Sequence, residues 1–184
     1  MAIALTPTQV LTGKVRFSYL TVFEPKASDL NPELKYSVQL LISKADKATV
    51  DKINAAYKAA FDEGVKSKFG GKNPDKKAPL RDGDEKYPGD ATYAGMYFLN
   101  ASCKADRKPA VVGPDGTPLM ERTDIFSGCF GRAFINFFSY NIGDKIKGVG
   151  CGLNSLQLLE QGEPLGAGAS SAAVFTQIPE DDEI

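Results

Sequence analysis

Arg132, Phe134, Asn136, Phe138 and Tyr140 alternate along residues 131–140, GRAFINFFSY. In an extended strand successive side chains point to opposite faces, so these five share one face, and Ala133, Ile135 and Phe137 share the other. The second set suits a packed interior. The first is a row of rings with a guanidinium and an amide, which suits stacking on nucleic-acid bases while a cation meets phosphate. The same spacing admits another reading, in which Phe134 and Phe138 are core and Arg132 and Asn136 form its rim.

Catalytic chemistry finds less support. The chain has no histidine, which removes the commonest general base, every histidine-dependent triad and the usual zinc sites. Asp82, Asp84, Glu85 and Asp90 are the best candidates for a metal-dependent nuclease. They crowd one turn, however, and no catalytic lysine or histidine motif accompanies them. A calcium loop there would lack the ligand spacing and distal glutamate of an EF-hand. No catalytic residue, metal or cofactor is therefore expected. Cys103, Cys129 and Cys151 are odd in number and scattered, which fits a reducing compartment better than a disulfide framework.

Charge is segregated. All 22 Lys and Arg residues lie at or before Lys147, while six of the 23 Asp and Glu residues follow Leu159. The body up to Leu159 thus sets 22 cations against 17 anions, a net +5, and the remainder carries −6. A basic body with an acidic tail suits a protein that handles polyanions, although acidic tails also serve solubility. The 184 residues, 42% hydrophobic and 24% charged, suit one domain with a real core. The opening MAIALTPTQV has neither a cationic region nor a long apolar stretch, so no signal peptide is expected, and no apolar run is long enough to span a membrane.

The elements that must position the aromatic row read mostly as strands. Residues 13–20 alternate, with Lys14, Arg16 and Ser18 on one face and Val15, Phe17 and Tyr19 on the other. Residues 35–42 alternate again, with Tyr36, Val38, Leu40 and Ile42 opposite Lys35, Ser37 and Gln39. One amphipathic helix follows, capped by Asp46 or Ser43, with Val50, Ile53, Tyr57, Ala60, Phe61 and Val65 facing the sheet and Gly70-Gly71 ending it. Residues 66–90 read as a long basic loop. Further strands are expected at 95–102 and at 147–158, the latter studded with Gly148, Gly150 and Gly152. Glycine inside a strand marks a bulge, a corner or a close approach. A basic segment, Lys104, Arg107 and Lys108, lies between them. The expected fold is all-β with one helix, an OB-like five-stranded barrel with long loops; an open β-sandwich competes with it. Residues 1–159 form the expected binding domain, and 160–184 a flexible linker and acidic tail.

Several segments in order carry a resemblance: Arg16-Phe17-Ser18-Tyr19, Phe23-Glu24-Pro25, Tyr36-Ser37-Val38, Leu80-Arg81-Asp82-Gly83-Asp84, Phe126-Ser127-Gly128 and Gly152-Leu153-Asn154-Ser155-Leu156-Gln157. Together they resemble the phage and prophage single-stranded DNA-binding proteins, over roughly residues 13–165. The resemblance implies an OB-fold that coats single strands without strong sequence preference in replication, recombination or repair, in the cytoplasm of a bacterial host. It also implies that the acidic end, Glu180, Asp181, Asp182, Glu183 and Ile184, recruits replication or recombination proteins. A homo-oligomer is left open, as is a structural phage protein that uses the aromatic strand as an oligomer interface. From strand parity and charge, the DNA-contacting residues are expected to be Arg16, Tyr19, Lys35, Lys104, Arg107, Arg132, Phe134, Phe138, Tyr140, Lys145 and Lys147.

Overall fold

The structure, a computed structural model, describes residues 4–29 and 31–165. Its long strands are β2 (Val15–Ser28), β3 (Asn31–Ser43), β5 (Met96–Lys104), β7 (Phe130–Ile142) and β8 (Ile146–Glu160). They pair in the order β7-β2-β3-β5-β8, and β8 returns to β7, so five strands close a ring. This is the expected OB-like barrel rather than an open sandwich. Three short strands flank the ring: β1 (Gln9–Leu11) on β7, β4 (Arg81–Asp82) on β5 and β6 (Ala110–Val112) on β8.

Closure is uneven. β7 and β8 form a long antiparallel hairpin, paired from Phe130–Glu160 to Ile142–Ile146. In contrast, β5 and β8 run parallel and meet at Ser102–Gly152 alone. The barrel wall is therefore thin along that seam, and backbone groups on either side of it border open space.

Alternation fills the interior. Phe17, Leu40, Ile42, Ala133 and Ile135 are fully buried, with Val38, Phe137, Leu153 and Leu156 beside them. Helix α1 (Lys47–Ser67) packs on β7, β8 and β1. Asp46 caps it by accepting a hydrogen bond from the Thr49 amide at 3.2 Å, which satisfies one free donor of the first turn. Among the described residues no helix is long and apolar enough to cross a membrane.

Four local expectations are corrected. Tyr19 does not share the inner face of Val15 and Phe17: its φ is +46°, the pairing with β3 shifts after Ser18, and the ring turns 71% into solvent while Ser18 is buried. Val65 faces outward, and Ala56 and Gly64 take the inner positions instead. The reason is Phe69, which folds back so closely that a Cβ at Gly64 would lie 2.4 Å from its ring. The helix accordingly ends at Ser67, before Gly70-Gly71. The basic loop contains β4 and a single helical turn, α2 (Gly83–Lys86). Finally, the face of β3 read as Lys35, Ser37 and Gln39 also carries Leu41, which Tyr93 and Phe98 cover.

Candidate nucleic-acid interface

β7 separates its two faces as its alternation demands. Ala133, Ile135 and Phe137 point into the core, whereas Arg132, Phe134, Asn136 and Tyr140 are half-buried and Phe138 is 43% exposed. The rings of Phe138 and Tyr140 are thus outside the barrel, next to the thin seam between β5 and β8.

Two clefts flank that seam. The first, of about 520 Å³, has Asn136 and Phe138 on one side and Lys35, Lys104, Arg107 and Lys108 on the other. Among the described residues Asp106 is its one carboxylate. Among the described residues Lys104, Arg107 and Lys108 have no ion-pair partner, and Lys35 has only Glu33, at 4.0 Å. The second cleft, of about 510 Å³, opens where β5 and β8 diverge. Tyr140 and Lys147 line it, with Lys77 and Arg81 from the basic loop; Leu99 and Phe137 form an apolar floor. The Lys147 ammonium is steadied by the carbonyls of Phe69 and Lys72. Along β8 one cleft is lined as far as Cys151 and the other from Gly152, so they adjoin at the Ser102–Gly152 pair.

Among the described residues, seven cations against two carboxylates, Asp75 and Asp106, line the two adjoining clefts, with the Phe138 ring on one and the Tyr140 ring on the other. Such clefts offer a polyanion charge and flat apolar surface together. Burial pushes the Cys103 thiol up and raises Cys151 to about 12, so neither is a thiolate nucleophile at neutral pH.

Of the expected contact residues, the structure brings together Lys35, Lys104, Arg107, Phe138, Tyr140 and Lys147. The others lie elsewhere. Arg16 donates to the carbonyls of Gly128 at 3.2 Å and Glu163 at 2.9 Å, with its guanidinium over Phe130. Arg132 donates to the Thr12 carbonyl at 3.1 Å. Phe134 is paired between Leu11 and Ser155. Tyr19 borders a separate concavity with Asp90, Thr92 and Tyr93, and Lys145 is exposed at the β7–β8 turn. Glu180 to Ile184 lie outside the described residues. The acidic turn that suggested a nuclease is held by Lys44, 2.7 Å from Asp82 and 2.8 Å from Asp84.

Lys77, Arg81, Lys108 and Asn136 were not among the expected contacts. Their basic segments are plain in the sequence, but only the pairing of β4 with β5 and the splay of β8 bring those segments to one seam.

The chain's similarities agree with this geometry. The profile of the family described as Enterobacter phage Enc34, ssDNA-binding protein, matches residues 8–184. Among solved structures, the single-stranded DNA-binding protein of bacteriophage Enc34 in complex with ssDNA is 22% identical, with TM-score 0.74, over 86% of this chain and 90% of that one. The single-stranded DNA-binding protein gp2.5 of bacteriophage T7 is 20% identical, with TM-score 0.61, over 96% of this chain and 97% of that one. A comparison with curated proteins finds no match. At these identities the structures establish the shared fold, while the profile spans nearly the whole sequence: the chain belongs to the family of the Enterobacter phage Enc34 single-stranded DNA-binding protein.

Proposed function

We propose that this protein coats single-stranded DNA without strong sequence preference, with phosphates on the cations of the two clefts and bases on Phe138 and Tyr140. The observation that carries the reading is the outward pair of rings between two cation-rimmed clefts on one side of the barrel. Stacking is sequence-tolerant because every base has a π-face. Duplex fits poorly, since its bases already stack on each other. The protein acts as a binding module rather than an enzyme, in phage replication, recombination or repair within the host cytoplasm. Its acidic end, Glu180 to Ile184, competes for the basic path and recruits a replication or recombination protein. Residues 1–159 form the binding domain in this reading. The contacts of Leu165 with Ser127 and of Glu163 with Arg16 carry the chain a few residues further along the barrel.

Titration with single-stranded and duplex oligonucleotides of equal length, at two salt concentrations and with or without magnesium, tests this. Preferential single-strand binding that weakens with salt, without cleavage, is the expected result. Equal affinity for duplex, or magnesium-dependent cleavage, overturns it.

A further inference from the structure

The two rings stand directly across from two glycines. Phe138 pairs with Gly150 and Tyr140 with Gly148 in the β7–β8 ladder. A Cβ on Gly150 would lie 2.7 Å from Cζ, 3.0 Å from Cε2 and 3.3 Å from Cε1 of Phe138. A Cβ on Gly148 would lie 2.8 Å from the Tyr140 hydroxyl oxygen and 3.0 Å from its Cζ. In each pair the distal half of the ring occupies the space that a cross-strand side chain would fill. The rings lean across the hairpin instead of standing up from it.

We infer that Gly148 and Gly150 are positioning residues for DNA binding: by leaving room for Tyr140 and Phe138 to lie down on β8, they turn ring faces, not ring edges, toward the bases. The inference rests on the single-strand reading above. An upright ring offers its edge outward and shields the strand beside it. A leaning ring buries one face on the glycine backbone and presents the other to solvent, which is what base stacking needs. Cross-strand glycines weaken a strand, as they lose more backbone freedom and pack no side chain. Their presence opposite two successive outward rings has a use in this geometry.

The spacing adds a consequence. Phe138 and Tyr140 are two residues apart, so their attachment points are separated by roughly 6.8 Å along β7. That is about twice the 3.4 Å rise per nucleotide of a stacked strand. One base per ring therefore requires neighbouring bases to be pulled apart, and the bound strand to be stretched.

Three measurements on the full chain test this together. The first is affinity of oligothymidine for the wild type, Phe138→Ala, Gly150→Ala and the double variant. Gly150→Ala is expected to lose roughly 5- to 150-fold, the range of one stacking contact, with the salt slope unchanged. The loss should vanish in the Phe138→Ala background, where no ring remains to be displaced. The double variant also relieves the clash, so it stays informative if Gly150→Ala alone folds poorly. The second measurement is the same cycle at the other ring, Gly148→Ala against Tyr140→Ala. The third measurement is energy transfer between dyes at the two ends of the oligonucleotide, which should report a longer strand on the wild type than on Phe138→Ala. An equal loss from Gly150→Ala with and without the Phe138 ring overturns the inference, because the glycine would then serve approach of DNA to the backbone. Unchanged binding by Gly150→Ala overturns it as well. Failure of the wild type to bind single strands instead overturns the functional reading itself.

Discussion

Lys44, in the turn after β3, reaches Asp82 on β4 across 2.7 Å and, from the same ammonium, Asp84 across 2.8 Å. This clamp fixes the end of the basic loop that carries Lys77 and Arg81 to the seam. Hydrogen bonds from Lys44 hold both aspartates below their ordinary value of 3.8 and raise the lysine. For carboxylates depressed in the folded state, the stabilisation is present above the unfolded pKa and is lost as the pH falls through the folded one. The clamp should therefore hold at neutral pH and fail below about pH 4. Lys44→Met should flatten the acid limb of a melting-temperature profile between pH 5 and 2 by a small amount, since Lys44 and Asp82 are only part-buried and Asp84 is half-exposed, so solvent screens the pairs. An acid limb identical to that of the wild type would show that the clamp contributes nothing.

Lys104 and Arg107 should act on salt dependence. If each meets one phosphate, alanine at either position should reduce the log–log salt slope of single-strand binding by about 0.7. Lys145, exposed but outside the clefts, should change it less. A slope that responds to Lys145 and ignores Lys104 would move the DNA path toward the β7–β8 turn.

Adjacent phenylalanines should give opposite phenotypes. Phe137 is buried and makes an edge contact with Tyr57 at 6.1 Å, so Phe137→Ala should cost about 3–5 kcal/mol of stability. Phe138→Ala should leave the melting temperature nearly unchanged and weaken DNA binding by about 1–3 kcal/mol. Calorimetry and titration on both variants check the pair. A large loss of stability from Phe138→Ala would mean that its ring is structural.

Much of this was legible in the sequence. Period-two alternation located β2, β3 and β7, and it divided β7 into two faces, of which the structure turns Ala133, Ile135 and Phe137 to the core. Asp46 and Ser43 both had the oxygen and position for the helix cap, and the structure takes Asp46. The sequence was less informative wherever non-local geometry decided. Tyr19 fits the inner face by period, but a bulge reverses it, and nothing in its own residue type favours a positive φ. Val65 fits a helical stripe, yet Phe69 needs the space above Gly64 and rotates the last buried turn. Arg16 has the right charge for DNA, but its donors go to carbonyls of Gly128 and Glu163, more than a hundred residues away in the chain. Such partners leave no local pattern. The pairing of glycines with rings was visible only as two separate motifs until the register joined them.

Tyr19 separates strain from function. A tyrosine at φ +46° is disfavoured by roughly 1–2 kcal/mol relative to right-handed backbone, and asparagine tolerates that region better. With the ring 71% exposed, Tyr19→Asn gives up little burial. The variant should therefore gain up to about 1 kcal/mol of stability in thermal denaturation. If Tyr19 also stacks a base, the same variant should bind single strands more weakly. A stability gain with unchanged affinity would remove Tyr19 from the DNA contacts, and a stability loss would show that its contact with Tyr93 outweighs the strain.

Removal of residues 176–184 tests the acidic end. Glu180, Asp181, Asp182 and Glu183 place four carboxylates in succession, and the described residues end at Leu165, whose amide donates to the Ser127 carbonyl. Fourteen residues lie between Leu165 and Glu180, a tether that spans at most roughly 50 Å when extended. A tethered anion competes with DNA at an effective concentration set by its tether, without needing high intrinsic affinity. Truncation should then tighten single-strand binding, most at low salt, where screening is weakest. It should also abolish capture of any replication or recombination protein retained by the intact chain. Tighter binding with capture preserved would leave competition as the only role of these residues. Unchanged affinity at low salt together with unchanged capture would leave only solubility.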